Sequence, residues 1–277
     1  MENKRIISVA LTGNWGDKSK NPAIPMTPEE IAEDAYQCWE AGASVAHIHM
    51  RDKDGKPTMD ATLFQQTISL IRERCDIIIN MTSSGGHSLD GMAADETRMF
   101  PFKQLKPEMG SFDCGTMNWL NKVIFENSPK FLEELGHLYQ KVGTKPEIEI
   151  FDIGMLDTAK YYIKTGVLKE PCHFQFIMGA PGGMAGTVEN LVYIQSQLPT
   201  GSTWSASGLS KAHIPVMLTA LALGGNVRVG LEDNIYYSHG VLAESNKQLV
   251  ERAARVIKAA GYEVANTKEA RDILGIK

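Results

Sequence analysis

At 277 residues and 43% hydrophobic content, the chain can bury a sizeable core as a single domain. Its 28 basic and 33 acidic side chains leave a net charge of -5, which excludes the basic stripe that nucleic-acid binding needs. The start, "MENKRIISVALTG", passes from charge straight into a short strand-like run, so neither a signal peptide nor a membrane span is expected, and a cytoplasmic location is.

Short β-branched runs alternate with helical patterns from end to end. Strands are expected near Ile6–Leu11, Ser44–Met50, Ile77–Thr82, Met109–Phe112, Glu147–Phe151, His173–Met178, Thr203–Ala206 and Asn226–Val229. Thr27-Pro28-Glu29-Glu30 is a capping box with proline at the first helical position, and Ser128-Pro129 repeats the N-cap and proline signal. No early GxGxxG opens the first helix, so the alternation predicts a (β/α)8 TIM barrel, one domain over residues 1–277, rather than a doubly wound sheet. Cys38, Cys75, Cys114 and Cys172 lie far apart without CxxC spacing, which fits buried reduced thiols.

A TIM barrel keeps its chemistry where strands end, and there this chain turns polar. In "SVAHIHMRD", His47 and His49 share one face of an extended segment while Ala46 and Ile48 take the other. Two imidazoles aimed at one volume imply either a metal site or a crowded core. The metal reading needs a third ligand, and Glu232 in "RVGLEDN" would complete a His2Glu set with an open position, the pattern of catalytic zinc. Arg228 shares a strand face with Asn226 and points into the lumen, where Asp233 is near enough to pair with it; a structural ion pair is the plainer reading. Ser83, Ser84, Gly85 and Gly86 offer hydroxyls and amides suited to a carboxylate or phosphate. The loop "GAPGGM", containing Gly182 and Gly183, either admits a long ligand close to the backbone or is a plain tight turn.

The HxH followed by Arg-Asp, "TSSGG", "KPEM", "GAPGGM", "HIP" and "GLEDNIYY" with "LAESN" resemble, in this order and over nearly the whole chain, the β-keto acid cleavage enzymes. The resemblance implies a zinc-dependent TIM barrel, usually a homo-oligomer such as a homotetramer, that reacts a β-keto acid with acetyl-CoA to give acetoacetate and a new acyl-CoA. It implies one Zn2+ on His47, His49 and Glu232, substrate binding at Ser83 and Ser111, and a catalytic pair in Arg228 and Asp233, with the proton acceptor of that pair left open. A CoA groove is then expected along the "GAPGGM" loop and Ser205–Ser210, at Gly182, Gly183, Ser207 and Lys211.

One departure stands after the first strand. Members that cleave the aminohexanoate carry a glutamate close behind their Thr-Gly to hold the substrate ammonium; here the chain reads "TGNWGDKSK". Trp15 would line an apolar pocket or face a quaternary ammonium, so dehydrocarnitine or a short neutral β-keto acid is expected to be preferred, with Asp17 the one nearby group able to restore the charge. The competing enzyme class is an amidohydrolase-like metal-dependent hydrolase. That class places HxH on its first strand, whereas this chain has it on the second.

Overall fold

The computed structural model describes residues 3–86 and 93–276. Eight parallel strands close into a barrel: β1 Ile7–Ala10, β2 Val45–Ile48, β3 Ile78–Met81, β4 Met109–Asp113, β5 Lys145–Ile150, β6 His173–Met178, β7 Thr203–Gly208 and β8 Asn226–Val229. Each pairs with its sequence neighbours, and β8 returns to β1 through Val227 opposite Ile7. The expected fold class and all eight strand positions are therefore observed.

The helices sit where the punctuation put them. Helix α1, Pro28–Glu40, starts on the full Thr27–Glu30 capping box. Following it are α2 Ala61–Arg72, α3 Asp95–Leu105 and α4 Pro129–Val142, whose Ser128 hydroxyl accepts from the Phe131 amide. Helices α5 Ile153–Lys164, α6 Val188–Ser196, α7 His213–Ala222 and α8 Asn246–Ala259 complete the ring.

A further helix, α9 Thr267–Leu274, lies outside the eight-unit pattern. Its Ala270 and Leu274 pack with Ile6, Val45, Ile78 and Met109, residues at or beside the strand starts, so α9 plugs the N-terminal end of the barrel. The other end is left open to a ligand. The four cysteines are buried and unlinked, and no helix among the described residues is long and apolar enough to cross a membrane.

Candidate active site and metal centre

Strand β2 ends by delivering His47, and His49 follows two positions later on the same face, so their Nε2 atoms lie 3.0 Å apart with the rings at 71°. Glu232, in the turn after β8, brings Oε1 within 3.7 Å of His47 Nε2 and Oε2 within 3.5 Å of His49 Nε2. That turn requires small residues on both sides. A Cβ on Gly13, whose φ is +66°, would lie 2.6 Å from Glu232 Cγ, and one on Gly230 would lie 2.0 Å from the Ala10 carbonyl.

Three ligands about 2.0–2.2 Å from one ion at tetrahedral angles lie about 3.4 Å from one another, which is the spacing found here. The donors are also in the right state. Asn14 Oδ1 sits 2.9 Å from His49 Nδ1, which assigns the ring proton to Nδ1 and leaves the Nε2 lone pair facing Glu232. Burial pushes His47 well below the usual histidine range, so it is neutral. Burial resists ionisation of Glu232, yet charged neighbours, the Arg228 guanidinium at 2.8 Å among them, outweigh that and hold it below the usual carboxylate range. Its Oε2 has no hydrogen-bond donor. The set fits a divalent ion.

Arg228, on the lumen face of β8, gathers the remaining charge. Its Nε and Nη2 donate to the two oxygens of Asp233 at 3.0 Å each, Nη2 also to Glu232 Oε1 at 2.8 Å, and Nη1 to Glu149 Oε1 at 2.9 Å. Glu147 Oε2 is 3.9 Å away. Burial works against the guanidinium, but Asp233, Glu232 and Glu149 keep it protonated well above its ordinary range. Burial also raises Asp233, raises Glu147 to about 7, and with Asp113 nearby raises Glu149 far above a normal carboxyl.

Beside these groups opens a cavity of about 210 Å3, lined on its polar side by Ser84, Ser111, Asp113 and Glu149 and on its apolar side by Trp15, Trp119, Phe125 and Phe151. Ser84 Oγ accepts from Asn14 Nδ2 at 2.7 Å, which links the serine turn to the His49 partner. The Ser83 amide donates to Ser111 Oγ and the Ser84 amide to Thr82 Oγ1, so this turn faces the cavity with hydroxyls rather than with those two amides. Gly85 and Gly86 have φ near +75° and +64° and shape the turn without lining the cavity.

His47, His49, Glu232, Arg228, Asp233, Ser84, Ser111 and Trp15 thus meet around one cavity, with Ser83 directly behind Ser111. Gly182, Gly183, Ser207 and Lys211 stand outside its lining. Lys211 is exposed in the 3-10 turn Ser210–Ala212, and Ser207 lies against Asp233. The site residues not singled out from the sequence are Glu149, Trp119, Phe125 and Phe151. Glu149 alternates with Glu147 on β5, a period-two signal that could have marked a charged lumen face. Trp119 and Phe125 stand on a hairpin, Met117–Trp119 against Val123–Phe125, inserted after β4.

A closed parallel barrel with a His2Glu centre and a buried arginine–carboxylate cluster at its open end defines a TIM-barrel enzyme with a candidate catalytic metal site. Residues 4–276 match the family model described as "beta-keto acid cleavage enzyme", and the chain belongs to that family. It is 42% identical over 277 residues, the full length of both chains, to the 3-keto-5-aminohexanoate cleavage enzyme of Fusobacterium nucleatum. It is 33% identical to the 3-dehydrocarnitine:acetyl-CoA trimethylamine transferase of Rhizobium meliloti, covering 98% of this chain and 96% of that one. Among solved structures, the ternary complex of ObcA with C4-CoA adduct and oxalate superposes with a TM-score of 0.82 at 20% identity, over 92% of this chain and 68% of that one. Family membership removes the amidohydrolase reading.

Proposed function

We propose that the chain transfers acyl groups between a β-keto acid and acetyl-CoA, releasing acetoacetate and a new acyl-CoA, with one zinc-type ion held by His47, His49 and Glu232. The observation that carries this reading is the meeting of that ligand set with the Arg228–Asp233 pair in one cavity of a family member. A divalent ion held there supplies Lewis-acid polarisation of a keto group.

The protein's own groups do the rest. Asp233 accepts the proton from the carbon between the keto and carboxylate groups, because it is the carboxylate that Arg228 grips through two nitrogens and aims. Arg228 stays charged throughout, being bound to the carboxylates of Asp233 and Glu232, and steadies the negative charge that develops beside it. Ser84 and Ser111 bind the substrate carboxylate, with Ser83 orienting Ser111 and Gly85 and Gly86 turning the loop. Gly182, Gly183, Ser207 and Lys211 border the way in for CoA, since Ile177 and Leu209 carry the cavity lining to the mouths of β6 and β7. The enzyme works in the cytoplasm as a homo-oligomer, in keeping with the exposed Val188, Val192 and Tyr193 of α6 beside Leu218 of α7.

A coupled assay tests the reaction: acetoacetate should appear only when a β-keto acid and acetyl-CoA are both present, vanish on chelation and return with zinc. Acetoacetate formed without acetyl-CoA, or from fully chelated protein, would sink it.

A further inference from the structure

Two unlike sets of groups line the cavity. The charged set is built around Arg228, which binds Glu232, Asp233 and Glu149, while Asp113 accepts from the hydroxyls of Ser83 and Ser111. The apolar set is four rings linked one to the next in a single wall. Trp15 stacks on Trp119 at 6.4 Å and 29°, Trp119 meets Phe125 at 75° and Phe151 at 90°, and Phe125 meets Phe151 at 89°.

This wall is built, not incidental. Arg51 Nη2 donates to the carbonyls of both Gly13 and Gly16, clamping the segment that carries Asn14 and Trp15. From the other side the "GAPGGM" loop braces it, with the Met184 amide bonded to the Phe151 carbonyl and the Leu120 amide to that of Pro181. A Cβ on Gly182 would fall 2.0 Å from the Asn118 carbonyl, so the loop packs directly on the aromatic hairpin.

We propose that this aromatic wall selects the tail of the β-keto acid, and that the tail it selects is neutral and apolar rather than ammonium, trimethylammonium or carboxylate. The proposal rests on the acyl-exchange reading for its substrate class. A primary ammonium buried against four rings would lose its water, and the rings include no carboxylate to take its charge. A trimethylammonium or a carboxylate would likewise leave water with no counter-charge among the four rings, a cost that contact with ring faces repays only in part for the cation and not at all for the anion. Apolar carbon meets neither cost and gains from burial.

The test compares 3-oxo-5-methylhexanoate with 3-keto-5-aminohexanoate, which differ only in methyl against ammonium, together with dehydrocarnitine and 3-oxoadipate. In the parent protein, kcat/KM for the methyl compound should exceed that for each charged one at least tenfold, and Trp15→Glu should reverse the methyl-to-ammonium ratio. A parent that prefers any charged tail overturns the proposal, as does a folded Trp15→Glu whose preference is unchanged. Quenching of tryptophan fluorescence separates the two claims. If no acid yields acetoacetate, yet the methyl compound binds at least tenfold tighter than the charged ones, the reaction falls and the tail pocket stands; equal or tighter binding of a charged tail removes the pocket as well.

Discussion

Two histidine clusters line the same lumen at different heights, and they show what makes a buried histidine functional. His173 begins β6, and its ring is closed off on both sides, by Thr203 Oγ1 at 2.9 Å from Nδ1 and Ser205 Oγ at 3.3 Å from Nε2. His47 ends β2, and its Nε2 faces only another imidazole and a carboxylate. Burial drives both rings down, His173 to about 3, so neither charge nor depth tells them apart. Partner chemistry does: hydroxyls saturate a neutral ring, whereas a second nitrogen and a carboxylate leave converging lone pairs that only a cation satisfies.

The largest effects should come from breaking that contrast. His47→Ala and His49→Ala are expected to lose the bound ion on metal analysis and to reduce turnover by roughly 10^3-fold or more, as removal of a Lewis acid worth several kcal/mol requires. His173→Ala should keep its full metal content and pay only in stability, by about 1–3 kcal/mol, for the hydroxyls left unpaired. Loss of metal from the His173 variant would erase the distinction.

Next in size is the Arg228–Asp233 pair. Asp233→Asn keeps the shape of the contact but not the proton acceptor, so kcat should fall roughly 10^2–10^4-fold while metal content stays at one ion per chain. A smaller change sharpens the ligand side. Asn14→Ala removes the acceptor behind His49 Nδ1 and should weaken metal affinity about 10–100-fold, read by competition with a chelator.

Much of this was legible in the residues. The alternation of short apolar strands with capped helices gives the barrel, and the period of two on β2 alone places His47 and His49 together. Glu232 and the Arg228–Asp233 pair follow from their place just beyond or within β8. What stayed hidden depends on long-range closure. Trp119 and Phe125 reach the cavity on an inserted hairpin, and Phe151 comes from the end of β5, so no spacing relates them to Trp15, and only the closed barrel makes them one wall. The "GAPGGM" motif is visible as a glycine loop, but its bracing contacts to Phe151 and Leu120 are not. Helix α9 also escapes the eight-fold pattern, because its partners are strand starts far away in sequence.

The smallest expected effect lies outside the lumen, where Asn246 supports the catalytic turn. Its Oδ1 accepts from the Leu231 amide and its Nδ2 donates to the Leu11 carbonyl and to Asp34 Oδ2, so α1 and α8 jointly hold the segment bearing Glu232 and Asp233. Burial raises the Asp34 carboxyl to about 7, above the value near 3.9 expected in the unfolded chain. A raised acid favours the fold when protonated: its contribution is full below about pH 4 and is lost as pH climbs through 7. Between pH 6 and pH 8 that single titration removes about 1.4 kcal/mol, or about 2–3 °C of Tm in a chain of this size. Asp34→Asn should lack that part of the decline, and because Glu147, also raised to about 7, is present in both proteins, the difference between the two melting profiles isolates Asp34. Profiles that fall in parallel from pH 6 to pH 8 would show that Asp34 titrates alike in the folded and unfolded chain, and that the support behind the catalytic turn is insensitive to pH.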